Sequence, residues 1–366
     1  MNDLGTAVTY SDRRGRLRAL IETAHLEALL VTSATNTRYL TGFTGSNGAV
    51  LIGSEPRADR LATDFRYQTQ VETECPGIDV LIERAVGPAV AAHAASTGVV
   101  RLGIEAEHLS VAAHAGLVEA HRDLELVPTS GLVESLRSVK DDTELVALAE
   151  ACRISDVALA ALLTEIRVGL TERQVARRLE SLMLDYGAEA ISFETIVATG
   201  PHSAIPHHTP TDRPIAAGDL LKIDFGALYA GYHADETRTF VVGAPAADWQ
   251  REIHALVVEA QRAGVAALGV GVDVRDVDHA ARSVIAAAGH AEHFGHGLGH
   301  GVGLDIHEAP MIGYSATGIL GDRTPVTVEP GVYLPGRGGV RIEDTLVVRT
   351  GGPVSLTTTT RELLVL

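Results

Sequence analysis

The chain has 366 residues, 46% of them hydrophobic and 21% charged, which is a globular composition and enough length for two domains. Thirty basic residues against 47 acidic ones give a formal charge of −17, and no Lys/Arg cluster supplies the basic face that nucleic-acid binding requires. No apolar run reaches the roughly 18 residues of a membrane-spanning helix. The N-terminus has no apolar signal core, and two cysteines, Cys75 and Cys152, make no disulfide framework. The expectation is a cytoplasmic protein with no nucleic-acid and no membrane partner.

In chain order, residues 13–30 read as an amphipathic helix running into the apolar strand 28–32, with Leu17, Leu20 and Ile21 at helical spacing. Residues 39–48 are turn-rich, and 49–53 and 61–63 read as strands. Strands and Ala-rich helices alternate to about residue 130, so this part is α/β. A turn cluster at 128–131 and an acidic helix start at 138–144 mark a boundary, placing domains at 1–135 and 136–366. A long helix fills roughly 143–165. The next one starts at Thr171, where Gln174 completes a capping box, and Val175, Leu179, Leu182 and Met183 line its apolar face.

Two hairpins then carry carboxylates. Residues 220–228 form a strand, 229–232 a turn and 233–242 the return strand. The midpoint of Asp224 and Asp235 falls inside the turn, so a regular hairpin makes them cross-strand partners with Cβ atoms about 5 Å apart. Two bare carboxylates that close repel, and a cation relieves them. The second hairpin is centred on 334–339 and sets Glu329 against Glu343, the latter among Val340, Ile342, Leu346 and Val347. A solvent-facing acidic pair, or a buried glutamate held by arginine, accounts for either hairpin alone; the repeated device favours metal.

Eleven of the 16 histidines lie between His202 and His307. His296 and His300 are interleaved with glycines in 294–308, a pattern that predicts a glycine-rich strand or loop of close backbone approach rather than a helix. No βαβ unit follows to make those glycines a dinucleotide site. Four carboxylates and one imidazole carry a charge of about −4, which balances two divalent ions. The set suits Mn²⁺, with Co²⁺ or Zn²⁺ able to substitute. Two such ions bridging one water lower its pKa to about 7 and give a hydroxide able to attack an amide carbonyl.

The motifs YLTGFTGSNG (39–48), TDFRY (63–67), SFETIVATG (192–200), AIPHH (204–208), IDFGALYAGYHADETRTF (223–240), HGLGHGVGLDIHE (296–308), TVEPGVYLPG (327–336) and GVRIEDT (339–345) together resemble the pita-bread metallopeptidases. Within them, the likeness is to the proline-directed branch of aminopeptidase P and prolidase, and in particular to actinobacterial cytoplasmic Xaa-Pro peptidases. It spans nearly the whole chain. The resemblance implies a creatinase-like α/β N-terminal domain and a C-terminal pita-bread catalytic domain, an α/β (α+β) architecture overall, assembled as a homodimer. It assigns Asp224, Asp235, His300, Glu329 and Glu343 to a dinuclear metal centre, with Glu329 also acting as general base. His207 and His307 become catalytic, and His296 and Arg341 substrate-binding.

The expected activity is removal of an N-terminal residue before proline from a peptide, with Xaa-Pro dipeptidase (prolidase) as the alternative. Many prolidases carry an arginine four residues after the position of His307, and this chain has Met311 there. That departure weakens the dipeptidase reading. A metal-free creatinase-like hydrolase and a non-enzymatic binding module both conflict with the complete ligand set. A methionine aminopeptidase usually lacks such an N-terminal domain.

Overall fold

The computed structural model describes residues 3–366, with side chains from Tyr10 onward. It divides into two compact units, Met1–Arg137 and Ser138–Leu366. The first is a six-stranded mixed sheet in the order Asp79–Ile82, Arg60–Thr63, Gly48–Gly53, Ala28–Val31, Arg101–Glu105, Glu125–Thr129. Its central strands alternate apolar residues into a core of Leu30, Leu51, Leu102 and Ile104 under the helix Val86–Ser96. One helix was not expected. Ala34–Thr41 occupies part of the turn-rich segment, started by the Ser33 hydroxyl accepting from the Asn36 amide at 3.3 Å and stopped by Gly42 at φ 83°.

The second unit opens with the helices Asp142–Leu163 and Glu172–Asp185, each begun by a complete capping box, Asp141 with Glu144 and Thr171 with Gln174. The buried face of Glu172–Asp185 is the predicted one, Val175, Leu179, Leu182 and Met183. It packs with Leu159 and Leu162 on Val197, Leu221, Ile223 and Phe225. A three-stranded antiparallel sheet runs Glu236–Val241, Leu220–Phe225, Ile196–Thr199, and a five-stranded one runs Glu308–Ile312, Gly299–Gly301, Pro325–Val328, Asp344–Val347, Val354–Ser355. The helices Asp248–Ala267 and Val274–Ala287 bury Val257, Ala260, Val277, Ala281 and Ile285 against Val326, Val328, Val332 and Val340. The strands bearing the acidic residues are buried on both faces, so charges there need partners. Among the described residues, no helix is long and apolar enough to cross a membrane.

Candidate active site

The first hairpin turns on Ala230 and Gly231, with φ of 50° and 81°, between the pairs Tyr229↔Tyr232 and Leu228↔His233. Two positive φ values in a two-residue loop match a type I′ connection, whose twist suits the strands. This centre lies further along the chain than the aspartate midpoint, and it corrects the predicted register. Asp224 stands opposite Thr237, not Asp235. Asp235 lies two residues before Thr237 on the same face, which makes the aspartates diagonal neighbours. The second hairpin keeps the expected register. Val328↔Asp344 and Gly331↔Arg341 flank the acidic position, so Glu329 faces Glu343.

Thr237 ties the two hairpins together. Its carbonyl accepts from the Glu343 amide at 3.1 Å, and its hydroxyl donates to Glu343 Oε2 at 2.6 Å. Below this junction Arg238 donates to Asp344 Oδ1 at 2.7 Å and to the Glu343 carbonyl, while Gln261 and Arg361 both reach Asp344 Oδ2 at 2.6 Å. These bonds satisfy buried groups that would otherwise be costly and fix the strands that carry Asp235 and Glu343.

His300 comes from the short strand Gly299–Gly301, laid between Glu308–Ile312 and Pro325–Val328. A side chain at Gly299 would meet the Thr327 carbonyl at 2.0 Å, so the neighbouring strand comes close only because glycine is there. The His300 Nδ1–H donates to the Gly301 carbonyl at 3.0 Å, which turns Nε2 toward the carboxylates, 3.4 Å from Asp235 Oδ2 and 3.6 Å from Glu329 Oε1.

Asp224, Asp235, His300, Glu329 and Glu343 line one cavity of about 280 Å³ together with His207 and His307. Ligand atoms of Asp235, His300 and Glu343 lie within 4.8 Å of one another. Asp224 Oδ1 is buried with no hydrogen-bond partner among the described residues. Burial, and after it the neighbouring carboxylates, pushes Glu343 well above the ordinary carboxylate range. Burial raises Asp235 to about 6 and Glu329 to about 7, against the opposing pull of His300. Burial works against a charge on His300, yet Asp235 and Glu329 outweigh it and carry the ring up to about 9. Four carboxylates gather there around one imidazole, and these oxygen-rich donors with one imidazole Nε2 fit divalent ions.

His296 and Arg341 do not line this cavity. His296 donates from Nδ1 to the Gly297 carbonyl at 2.8 Å and accepts at Nε2 from the Tyr333 hydroxyl at 2.9 Å. Arg341 is buried behind the wall. It donates to Tyr333 Oη at 2.9 Å, to Thr237 Oγ1 at 3.0 Å and to Asp224 Oδ2. Its geometry suits orienting Asp224 rather than reaching into the cavity. Sequence reasoning named neither Thr237 nor Tyr333. The one local signal for Thr237 is its place two residues after Asp235.

Residues 146–350 match Metallopeptidase family M24, and residues 13–139 match the Creatinase/Prolidase N-terminal domain. A Xaa-Pro dipeptidase of Pyrococcus horikoshii is 35% identical over 339 residues, 93% of this chain and 95% of its own. The solved structure of a Xaa-Pro dipeptidase from Bacillus anthracis superposes with a TM-score of 0.93 at 39% identity, covering 98% of this chain and 100% of that one. An X-Pro aminopeptidase from Thermotoga maritima gives 0.87 at 34%, covering 93% and 98%. The fold, the acidic cavity and these likenesses agree, and the chain belongs to metallopeptidase family M24, a metal-dependent peptidase of pita-bread fold with a creatinase-like N-terminal domain.

Proposed function

We propose that this enzyme hydrolyses the Xaa-Pro bond of short peptides, with dipeptides as the preferred class and Mn²⁺ as the resident ion. The observation that carries the reading is the convergence of Asp224, Asp235, His300, Glu329 and Glu343 with His207 and His307 on one cavity. Relatives that act on Xaa-Pro dipeptides, by their names, support the dipeptide class. The dipeptide class takes precedence here over the longer peptides that Met311 favours in the sequence alone.

The five acidic and imidazole ligands are the residues that would hold two divalent ions. The chemistry that bound ions supply is a water nucleophile at neutral pH. The protein's own groups do the rest. Glu329, raised by burial toward neutrality, is suited to take a proton at a carboxylate oxygen and pass it to the leaving nitrogen. His207 and His307 stand exposed on the wall and are the donors available to the developing oxyanion and the amine. Burial, with the His300 charge after it, holds His307 below the usual imidazole value, so at neutral pH it keeps one N–H to donate and one lone pair. Arg341, fixed between Tyr333 and Asp224, orients the ligand carboxylate. The two cysteines are free and buried, which supports a reducing, cytoplasmic setting. Homodimerisation is part of the same proposal, checked by light scattering.

A second reading, cleavage of longer Xaa-Pro peptides, is favoured by the wall itself. Among its lining residues none is Lys or Arg, and Met311 is half exposed on a neighbouring strand. Among these lining residues a dipeptide's carboxylate therefore finds no permanent cation. Matched Xaa-Pro and Xaa-Pro-Xaa peptides decide between the two. Higher kcat/KM on the dipeptide is the expected result, higher kcat/KM on the tripeptide establishes the second reading, and an Xaa-Ala peptide cut as fast as either defeats both.

A further inference from the structure

The segment that carries His207 has little backbone structure of its own. One 3₁₀ turn covers Gly200–Ala204, and 205–213 has no helix or strand. Its amides and carbonyls must find partners elsewhere. Two buried side chains, Glu172 and Lys222, supply several of them, and Arg341 adds a bond to the Pro206 carbonyl at 3.2 Å. Glu172, on the first turn of Glu172–Asp185, accepts at Oε1 from the Thr199 amide at 2.8 Å and His202 Nδ1 at 2.9 Å. Its Oε2 accepts from His208 Nε2 at 2.8 Å, the Thr211 amide at 3.0 Å and the Thr211 hydroxyl at 2.6 Å. Lys222, on the strand Leu220–Phe225, donates to the Ile205 carbonyl at 2.6 Å and the Pro206 carbonyl at 3.2 Å, with Nζ 5.1 Å from the Tyr333 ring centre.

Both side chains are 0% exposed. His207 lies between their attachment points and is itself exposed on the cavity wall. Lys222 therefore holds Ile205 and, together with Arg341, Pro206 before it, and Glu172 fixes the residue after it and Thr211. Burying an ammonium and a carboxylate is costly, and an apolar pair would pack more cheaply. Burial, with the Arg341 charge after it, pushes Lys222 well below its ordinary value. What the polar heads add is direction: each binds several loop groups at set angles.

We propose that Lys222 and Glu172 are positioning residues that clamp the backbone on either side of His207 and so set where its imidazole meets the substrate. This rests on the reading of His207 as a group that contacts the scissile bond. Glu172, His202 and His208 are also spaced as a cation site. The five hydrogen bonds that already fill Glu172 favour the clamp.

The test uses the metal-loaded enzyme with Lys222→Met and Glu172→Gln, each alone and combined with His207→Ala. Each single variant is expected to lower kcat on an Xaa-Pro peptide by about 10- to 100-fold, with KM and two-ion content held near wild type. In the His207→Ala background the same substitutions are expected to cost less than about threefold, because their effect passes through that ring. Equal losses in both backgrounds overturn the proposal. So does a third bound ion that Glu172→Gln removes, which would make the cluster a cation site.

Hydrogen exchange supplies a readout independent of substrate. Amides of 205–211 are expected to exchange faster in either variant, and unchanged exchange overturns the clamp even if no Xaa-Pro peptide is cut and the functional reading itself has failed. If Lys222→Met does not fold, Glu172→Gln and Thr211→Val carry both readouts.

Discussion

Asp235→Asn is expected to lower kcat/KM by at least about 1000-fold, several kcal/mol of barrier, while leaving the protein folded. Asp235 is 5% exposed and its ligand atom lies within 4.8 Å of those of His300 and Glu343. The amide keeps the shape and one acceptor but removes a unit of negative charge from the place where cations are held. It also weakens the partner 3.4 Å from His300 Nε2. The same change relieves repulsion among the buried carboxylates that raises Glu343. The metal-stripped variant is therefore expected to melt at a higher temperature than the metal-stripped wild type. Activity, metal content and a thermal melt on one preparation check this, and a variant that keeps two ions and full activity contradicts it.

The second large effect concerns pH in the stripped protein. Asp235, Glu329 and Glu343 are all raised by burial, so the folded state holds protons on them that the unfolded chain would have released. The stability this protonation contributes is fully present below about pH 4 and is lost as pH rises through the folded values, about 6 for Asp235 and about 7 for Glu329. His300 is raised to about 9, and its contribution is likewise lost as pH climbs from about 6.5 through 9. The signs agree, and the stripped protein is expected to lose stability steadily from pH 5 to pH 9.

Metal binding must displace those protons, so loading two ions at pH 7 is expected to release roughly two protons and to tighten as pH rises. Calorimetric titration in two buffers of different ionisation enthalpy counts the protons, and melts across pH measure the linkage. A flat melting profile and no proton release contradict the description of the cluster.

Much of this arrangement was legible in the sequence because it is written in local patterns. The acidic residues sit on short apolar strands around turn signals. The second hairpin, centred on Gly336, put Glu329 opposite Glu343 in the register its midpoint implied. In the first, Asp224 pairs two residues further on, with Thr237, because the turn is the pair Ala230–Gly231, and a two-residue loop with both φ positive sets that register. The glycines around His300 predict close backbone approach, and Thr327 supplies the approaching carbonyl.

What stayed hidden is long-range. Thr237 meets Glu343 and Arg341 across more than a hundred residues of chain, and a threonine on a strand has no signature for that contact. Glu172 sits in a first helical turn, where acidic residues are common, and Lys222 interrupts an apolar strand, so neither position signals its partner. Only the fold brings both to the loop of His207. The helix Ala34–Thr41 was missed for the opposite reason. Its Ser33 and Gly42 caps were present, but two turns with little apolar period resemble a loop.

The most direct test of the account is a titration of Mn²⁺ into chelator-stripped enzyme, following hydrolysis of an Xaa-Pro dipeptide at each step. The account predicts no turnover without metal and full activity only as the second equivalent binds. Activity in the stripped protein, or none with both equivalents bound, would contradict it.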